Sequence, residues 1–141
     1  MDSAVRWLRI SYWVGAVVDA LAGVQMLSPR LFAFGMGLDD FRPGPDTRYA
    51  MGIVAALMFG WTAALLWADR RRIERRDVLA LTVVPVILGL AANEAFSVGS
   101  GFLSAQFVAP IWALQLGLGV LFLVSWRRAG DALRAAAPRP R

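Results

Sequence analysis

YAMGIVAALMFGWTAALLW, residues 49–67, runs for nineteen side chains without a single charge. A bilayer's hydrocarbon core takes about 20 apolar residues of helix to cross, so this stretch reads as a membrane span. Three stretches of similar length accompany it: Leu8–Leu27, Val78–Phe96 and Phe107–Trp126. The last is also free of charge, the first carries Arg9 at its start and Asp19, and the third carries only Glu94. Composition agrees, with 58% hydrophobic and 18% charged residues, where soluble domains lie nearer roughly 45–50% and 25%. The expected fold is an all-α integral membrane protein: a four-transmembrane-helix antiparallel bundle in one domain over residues 1–141, with residues 127–141 as a basic cytoplasmic tail.

The chain has neither cysteine nor histidine. That removes disulfides, thiolate or imidazole metal sites and histidine acid–base catalysis together, and no metal or cofactor is expected. The absence of cysteine also leaves the redox compartment open. A net charge of +5 invites a nucleic-acid partner, yet all fifteen basic residues are arginine and most flank the spans. Topology accounts for them better, so no nucleic acid is expected.

Arginine counts give the orientation. Arg6 and Arg9, the five arginines of the link Asp69–Asp77, and five in the tail fall on one side of a four-span layout: twelve, against Arg30, Arg42 and Arg48 on the other. Cytoplasmic loops carry the Lys/Arg excess, which puts both termini in the cytoplasm of a bacterial cell, with the spans in its inner membrane. Trp7, Trp67 and Trp126 fall at the same interface, where indole rings prefer to sit. Arg6, Arg9 and the apolar run up to Ala20-Leu21-Ala22 also imitate a cleavable secretory signal. The run continues through Met26 and Leu27, and Asp19 interrupts it, so a retained helix is expected.

The short link predicts spans two and three as neighbours running in opposite directions. Its arginines, Arg70, Arg71, Arg72, Arg75 and Arg76, are candidates for contact with anionic lipid as well as topology determinants. In the first outer loop, Ser28-Pro29 ends the first helix. "RLFAFGMGL", residues 30–38, is too apolar for a free loop and too short to span, and reads as an interfacial segment lying on the bundle or lidding a cavity. "DDFRPGPDT" follows as turn chemistry, with Asp46 expected to cap the second span.

The polar residues inside the spans are the candidate site. Asp19 lies eight residues before Leu27 and Gln115 eight after Phe107, each about 12 Å along its helix. Matching depth predicts a hydrogen bond between them near the midplane, with a protonated Asp19 donating. Gln25, Asn93, Glu94 and Arg48 fall higher, with Glu94–Arg48 a candidate ion pair supported by Gln25. Ionisable groups within spans cost about 2.5–3.5 kcal/mol on insertion scales and usually face a bundle interior or a wet cavity. Asp19 is thus either a ligand-anchoring or proton-exchanging group, or interhelical glue worth about 0.6–2 kcal/mol. Asp19 and Glu94 differ in depth by about six residues, or ~9 Å, which makes a poor acid–base pair. No nucleophilic triad, phosphate loop or metal spacing is present, so a non-enzymatic role is expected.

Small residues at every fourth position, Gly15-Asp19-Gly23, Gly52-Ala56-Gly60 and Pro85-Gly89-Asn93, predict close helix approach on three spans. Pro85 also predicts a kink. Small four-span multidrug exporters likewise carry one acidic residue in the first helix, but the arginine bias opposes the dual insertion some of them use. A parallel dimer stays open.

The layout of a long first outer loop, a short arginine-rich inner link and a basic tail resembles small bacterial four-span proteins of the DoxX-like kind. The resemblance spans nearly the whole chain at the level of topology and carries no functional residue across. "DALAGVQMLSP", residues 19–29, also resembles the first helix of the sterol-isomerase and sigma-2-receptor superfamily, whose helices enclose an apolar pocket around intramembrane acids. The leading expectation is binding of a small apolar or amphipathic ligand, or lipid, in an outward-opening pocket, with Asp19 and Gln115 as floor and Glu94, Arg48, Gln25 and Asn93 as rim. A proton-coupled transporter acting as a parallel oligomer is the alternative. A further one is an accessory subunit with a homo-oligomeric or membrane-protein partner.

Overall fold

The computed structural model describes residues 2–136, and within them the chain is helical with no strand. Its elements are α1 (Asp2–Leu27), α2 (Pro29–Met36), α3 (Pro45–Asp69), α4 (Asp77–Gly99) and α5 (Ala105–Ala136). Four of these, α1, α3, α4 and α5, are long and apolar enough to cross a membrane.

Helix α1 begins at Asp2 rather than Leu8, and α5 continues through residues 127–136 where a tail was expected. Arg127, Arg128 and Arg134 therefore sit on helix, while Arg139 and Arg141 lie outside the described residues. Serine 28 closes α1 and starts α2 at once: its hydroxyl accepts from Leu31 N–H, and Pro29 occupies the first helical position, where its missing donor costs nothing. The expected cap at Asp46 moves two residues back. Gly44 is the N-cap of α3 and Pro45 its first residue, so Asp46 falls in the first turn.

The apolar outer-loop segment forms a two-turn helix, α2, with no buried residue of its own. Gly37 ends it in a left-handed conformation (φ 65°), and the Phe107 ring presses on the same glycine so closely that any side chain there would collide. This contact holds α2 to the start of α5.

Partners along α1 and α3 step in opposite senses. Trp13 meets Asp69, Gly15 faces Leu65, Asp19 meets Thr62, and Gly23 faces Phe59. A Cβ on Gly15 would lie 2.8 Å from Phe122, and one on Gly23 would lie 3.1 Å from Phe59. The predicted close approach holds for this helix and fails on the other two: Gly52, Gly60 and Gly89 have no neighbour within 4 Å of a built Cβ. Glycines 52 and 60 face outward from α3, and Gly89 borders an open groove.

Helix α4 is not uniform. Over Thr82–Ile87 it widens into a π-helical turn, and Leu88 N–H donates to Val83 O five residues back. Pro85 sits inside this turn. Proline has no N–H and crowds the carbonyl four residues earlier, so a local change of pitch relieves it.

One core joins all four long helices: Leu8, Tyr12 and Ala16 of α1 with Leu65 of α3, Leu79 of α4 and Phe122 of α5. It lies toward the end that gathers the arginine-rich link. There Ser11 donates to Ser125 at 2.8 Å, Tyr12 donates to Arg75 O at 2.9 Å, and Trp126 donates to Asp77 at 2.7 Å. By contrast, Leu88–Gly99 of α4 has no fully buried residue.

Candidate functional site

Asp19 and Gln115 do not bond to each other. Asp19 Oδ2 accepts from Thr62 Oγ1 at 2.8 Å, and Gln115 Nε2 donates to Glu94 Oε1 at 2.9 Å. Counting residues fixes depth but not the direction a side chain takes around its helix, and here each group turns to a nearer neighbour. The two nonetheless share a space. A cavity of about 130 Å³ among the helices is bordered by both, with Thr82 as a third polar group and Val18, Leu90 and Leu118 among its apolar walls.

The expected rim does not assemble. Arg48 is exposed and lines a surface hollow with Met26, Leu27 and Pro29, on the α1–α3 side. Glu94 turns the other way, toward α5, so the Glu94–Arg48 ion pair is absent; among the described residues every ion pair lies in Asp69–Asp77 or between Arg134 and Asp131. The Gln25 amide lies over Gly35 of α2. Asn93 is exposed and receives, through its carbonyl, a bond from Ser97. These four corrections have one cause: the residues sit at similar heights on faces that diverge.

Two grooves flank the cavity. The first, of about 370 Å³, runs between α3 and α4 along Val54, Leu57 and Trp61 on one wall and Pro85, Val86 and Gly89 on the other, with Asp19 at its base. Asp19 thus borders both the cavity and a sideways opening. The second, of about 420 Å³, runs between α4 and α5 and carries Trp112 and Gln115 as its polar wall. Each groove borders one residue of the predicted floor, Asp19 in the first and Gln115 in the second.

Four residues missed by sequence reading shape the site. Thr62 holds Asp19. Trp61 Nε1 donates to Thr82 Oγ1 at 3.2 Å, and that hydroxyl in turn donates to Val78 O, tying α3 to the wide turn of α4. The Trp112 indole stands beside the Glu94 carboxylate. Thr62 had a signal, as the one hydroxyl away from the ends of the charge-free stretch 49–67; Trp112 had none, being one more aromatic in an apolar run.

Comparison with family models, curated proteins and solved structures gives no match for this chain.

The arginine link is mostly engaged within itself. Arg72 pairs with Asp69 at 2.9 Å and Arg71 with Glu74 at 3.5 Å, while Arg76 lies 3.8 Å from Asp77. Arg75 stacks on the Trp67 ring and donates to Trp67 O at 2.6 Å. Arg70 is exposed and takes part in no ion pair among the described residues. No three His, Cys, Asp or Glu side chains gather as a metal site among the described residues.

Proposed function

We propose that this chain is a multi-pass membrane protein whose four long helices form an antiparallel bundle in a bacterial inner membrane, and that it binds a small apolar or amphipathic molecule between them. The α1–α3 partner pairs that step in opposite senses support the bundle. The mean hydropathy of +0.55 and the outward-facing Leu57, Leu116 and Phe96 support lipid as its solvent. Both termini face the cytoplasm on the arginine bias. The DoxX-like kinship is proposed on layout alone.

The observation that carries the binding reading is the cavity bordered by Asp19, Thr82 and Gln115 within otherwise apolar walls. Ligand sites have this composition: mostly apolar lining with a few placed polar groups. At about 130 Å³ the cavity takes the head of a molecule, and the groove between α3 and α4 has room for its remainder. The test is native mass spectrometry of the protein released from mild detergent, wild type beside Asp19→Asn. A small-mass adduct present in the first and lost in the second is the expected result. Two bare, equally folded proteins would make Asp19 helix glue and direct the search to partner proteins.

A second reading, proton-coupled transport with Asp19 as the proton site, draws on one observation: Asp19 borders both the cavity and the groove between α3 and α4. Proton flux into liposomes that survives Asp19→Asn would remove it.

A further inference from the structure

Asp19 is a half-buried carboxylate that no cation answers. Every ion pair among the described residues lies elsewhere. The chain has no lysine or histidine, and no arginine lines the cavity or the groove between α3 and α4. Thr62 holds the carboxylate through a neutral hydroxyl. Inside a bilayer such a group ordinarily pairs with an opposite charge or borders water. What Asp19 borders is the cavity and the groove, and these two spaces adjoin: Asp19, Met58, Trp61, Val86 and Leu90 line both.

The polar groups of the cavity have spent their donors. Trp61 Nε1 donates to Thr82, the Thr82 hydroxyl donates to Val78 O, and Gln115 Nε2 donates to Glu94. Thr62, just outside, gives its proton to Asp19. Only the second N–H of the Gln115 amide remains. Acceptors are left in excess: the Asp19 carboxylate, and Gln115 Oε1, which accepts from no group among the described residues.

This imbalance selects among ligand chemistries. An anion would meet the like charge of Asp19. A neutral alcohol could donate once and would leave that charge uncompensated. A protonated amine carries the opposite charge and three N–H donors with no acceptor to satisfy, and a hydrogen bond between charged partners is roughly twice as strong as a neutral one. The groove suits an apolar chain attached to such a head, with Val54 and Leu57 on one wall and Val86 and Leu90 on the other. From Trp61 to Val54 is seven residues, about 10 Å of helix.

We propose that the cavity takes the protonated amine of a single-chain amphiphile, with the ammonium against Asp19 and Gln115 and the chain along the groove between α3 and α4. The proposal rests on the ligand-binding function given above and names the class of ligand.

The test is native mass spectrometry of the protein in phosphatidylcholine nanodiscs at pH 7, titrated separately with dodecylamine, 1-dodecanol and dodecanoate. An alkyl amine with a pKa near that of lysine, about 10.4, is charged there. Retention of the amine about tenfold above the alcohol is expected, with dodecanoate below both. Asp19→Asn keeps the size and removes the charge, and should bring the amine down to the level of the alcohol. Gly89→Leu puts a side chain into the groove where a Cβ meets nothing within 4 Å, and should lower amine retention severalfold. Thermal unfolding reports the fold of each variant, and the amine-to-alcohol ratio of the wild type needs no variant. Amine retention indifferent to Asp19→Asn, or preference for dodecanoate, would overturn the proposal. Equal retention of amine and alcohol, both lowered by Gly89→Leu, would overturn the cationic ligand and leave the binding site standing. Retention of none of the three would overturn both.

Discussion

Two of the long apolar helices carry a carboxylate beside small residues set four apart, and they pack in opposite ways. On α1, Gly15 and Gly23 sit one turn either side of Asp19, and both are pressed by side chains from α3 or α5. On α4, Pro85 and Gly89 precede Glu94 at comparable spacing, and Gly89 meets nothing within 4 Å. The first carboxylate is held by a hydroxyl on the facing helix, while the second takes the Gln115 amide and stands beside the Trp112 indole. A small-residue pattern therefore permits close approach but does not compel it. What decides is whether a partner of complementary shape arrives, and on α4 the proline-bearing wide turn and the grooves on either side stand in its place.

Substitutions at the two sets of glycines can break this contrast. Gly15→Val should have the largest effect, because its Cβ would meet the Phe122 ring at 2.8 Å; overpacking of this kind costs about 1–3 kcal/mol. Thermal melting followed by circular dichroism in detergent would show a lower midpoint with a cooperative transition preserved. Next comes Thr62→Val, which keeps the shape and removes the donor to Asp19. Interhelical hydrogen bonds in membranes average about 0.6 kcal/mol and reach about 2, so a small but measurable drop in the same melt is expected, together with looser α1–α3 packing by crosslinking. The smallest effect belongs to Gly89→Ala. With open space around it, the added methyl should leave stability unchanged or raise it by up to about 1 kcal/mol through helix propensity. A loss of stability at Gly89 comparable to that at Gly15 would erase the distinction between the two helices.

Much of the architecture was legible because one requirement governs it: a helix crossing hydrocarbon must be apolar for a fixed length. The four stretches were visible on that ground, and Ser28-Pro29 marked the turn between α1 and α2. The inner ends of the site were legible only by depth. Asp19 and Gln115 do border one cavity, as their matching positions along α1 and α5 suggested, yet each bonds elsewhere. Residue counting carries no information on which way α1 and α5 are rotated, and a rotation of half a turn exchanges one neighbour for another. Arg48 and Glu94 failed for the same reason, since opposite charges at one height attract only when they share a face. The grooves had no trace in the chain at all, because an empty space is made by what four helices jointly leave unfilled.

The wide turn at Thr82–Ile87 fits one extra residue into the pitch of α4. In a regular helix each residue advances about 100° around the axis. Everything after Ile87 is therefore rotated by about that much from where an unbroken helix starting at Asp77 would set it. Glu94 meets Gln115 on this side of the helix as a consequence. Straightening the turn without changing its length would aim the carboxylate away from α5 by about that angle, whereas deleting one residue within it would leave the carboxylate on the same side. Relatives of this chain that lack one residue there would run as a regular helix and keep both the layout and the polar contact, so the wide turn is the way this chain carries an extra residue without turning its carboxylate from α5.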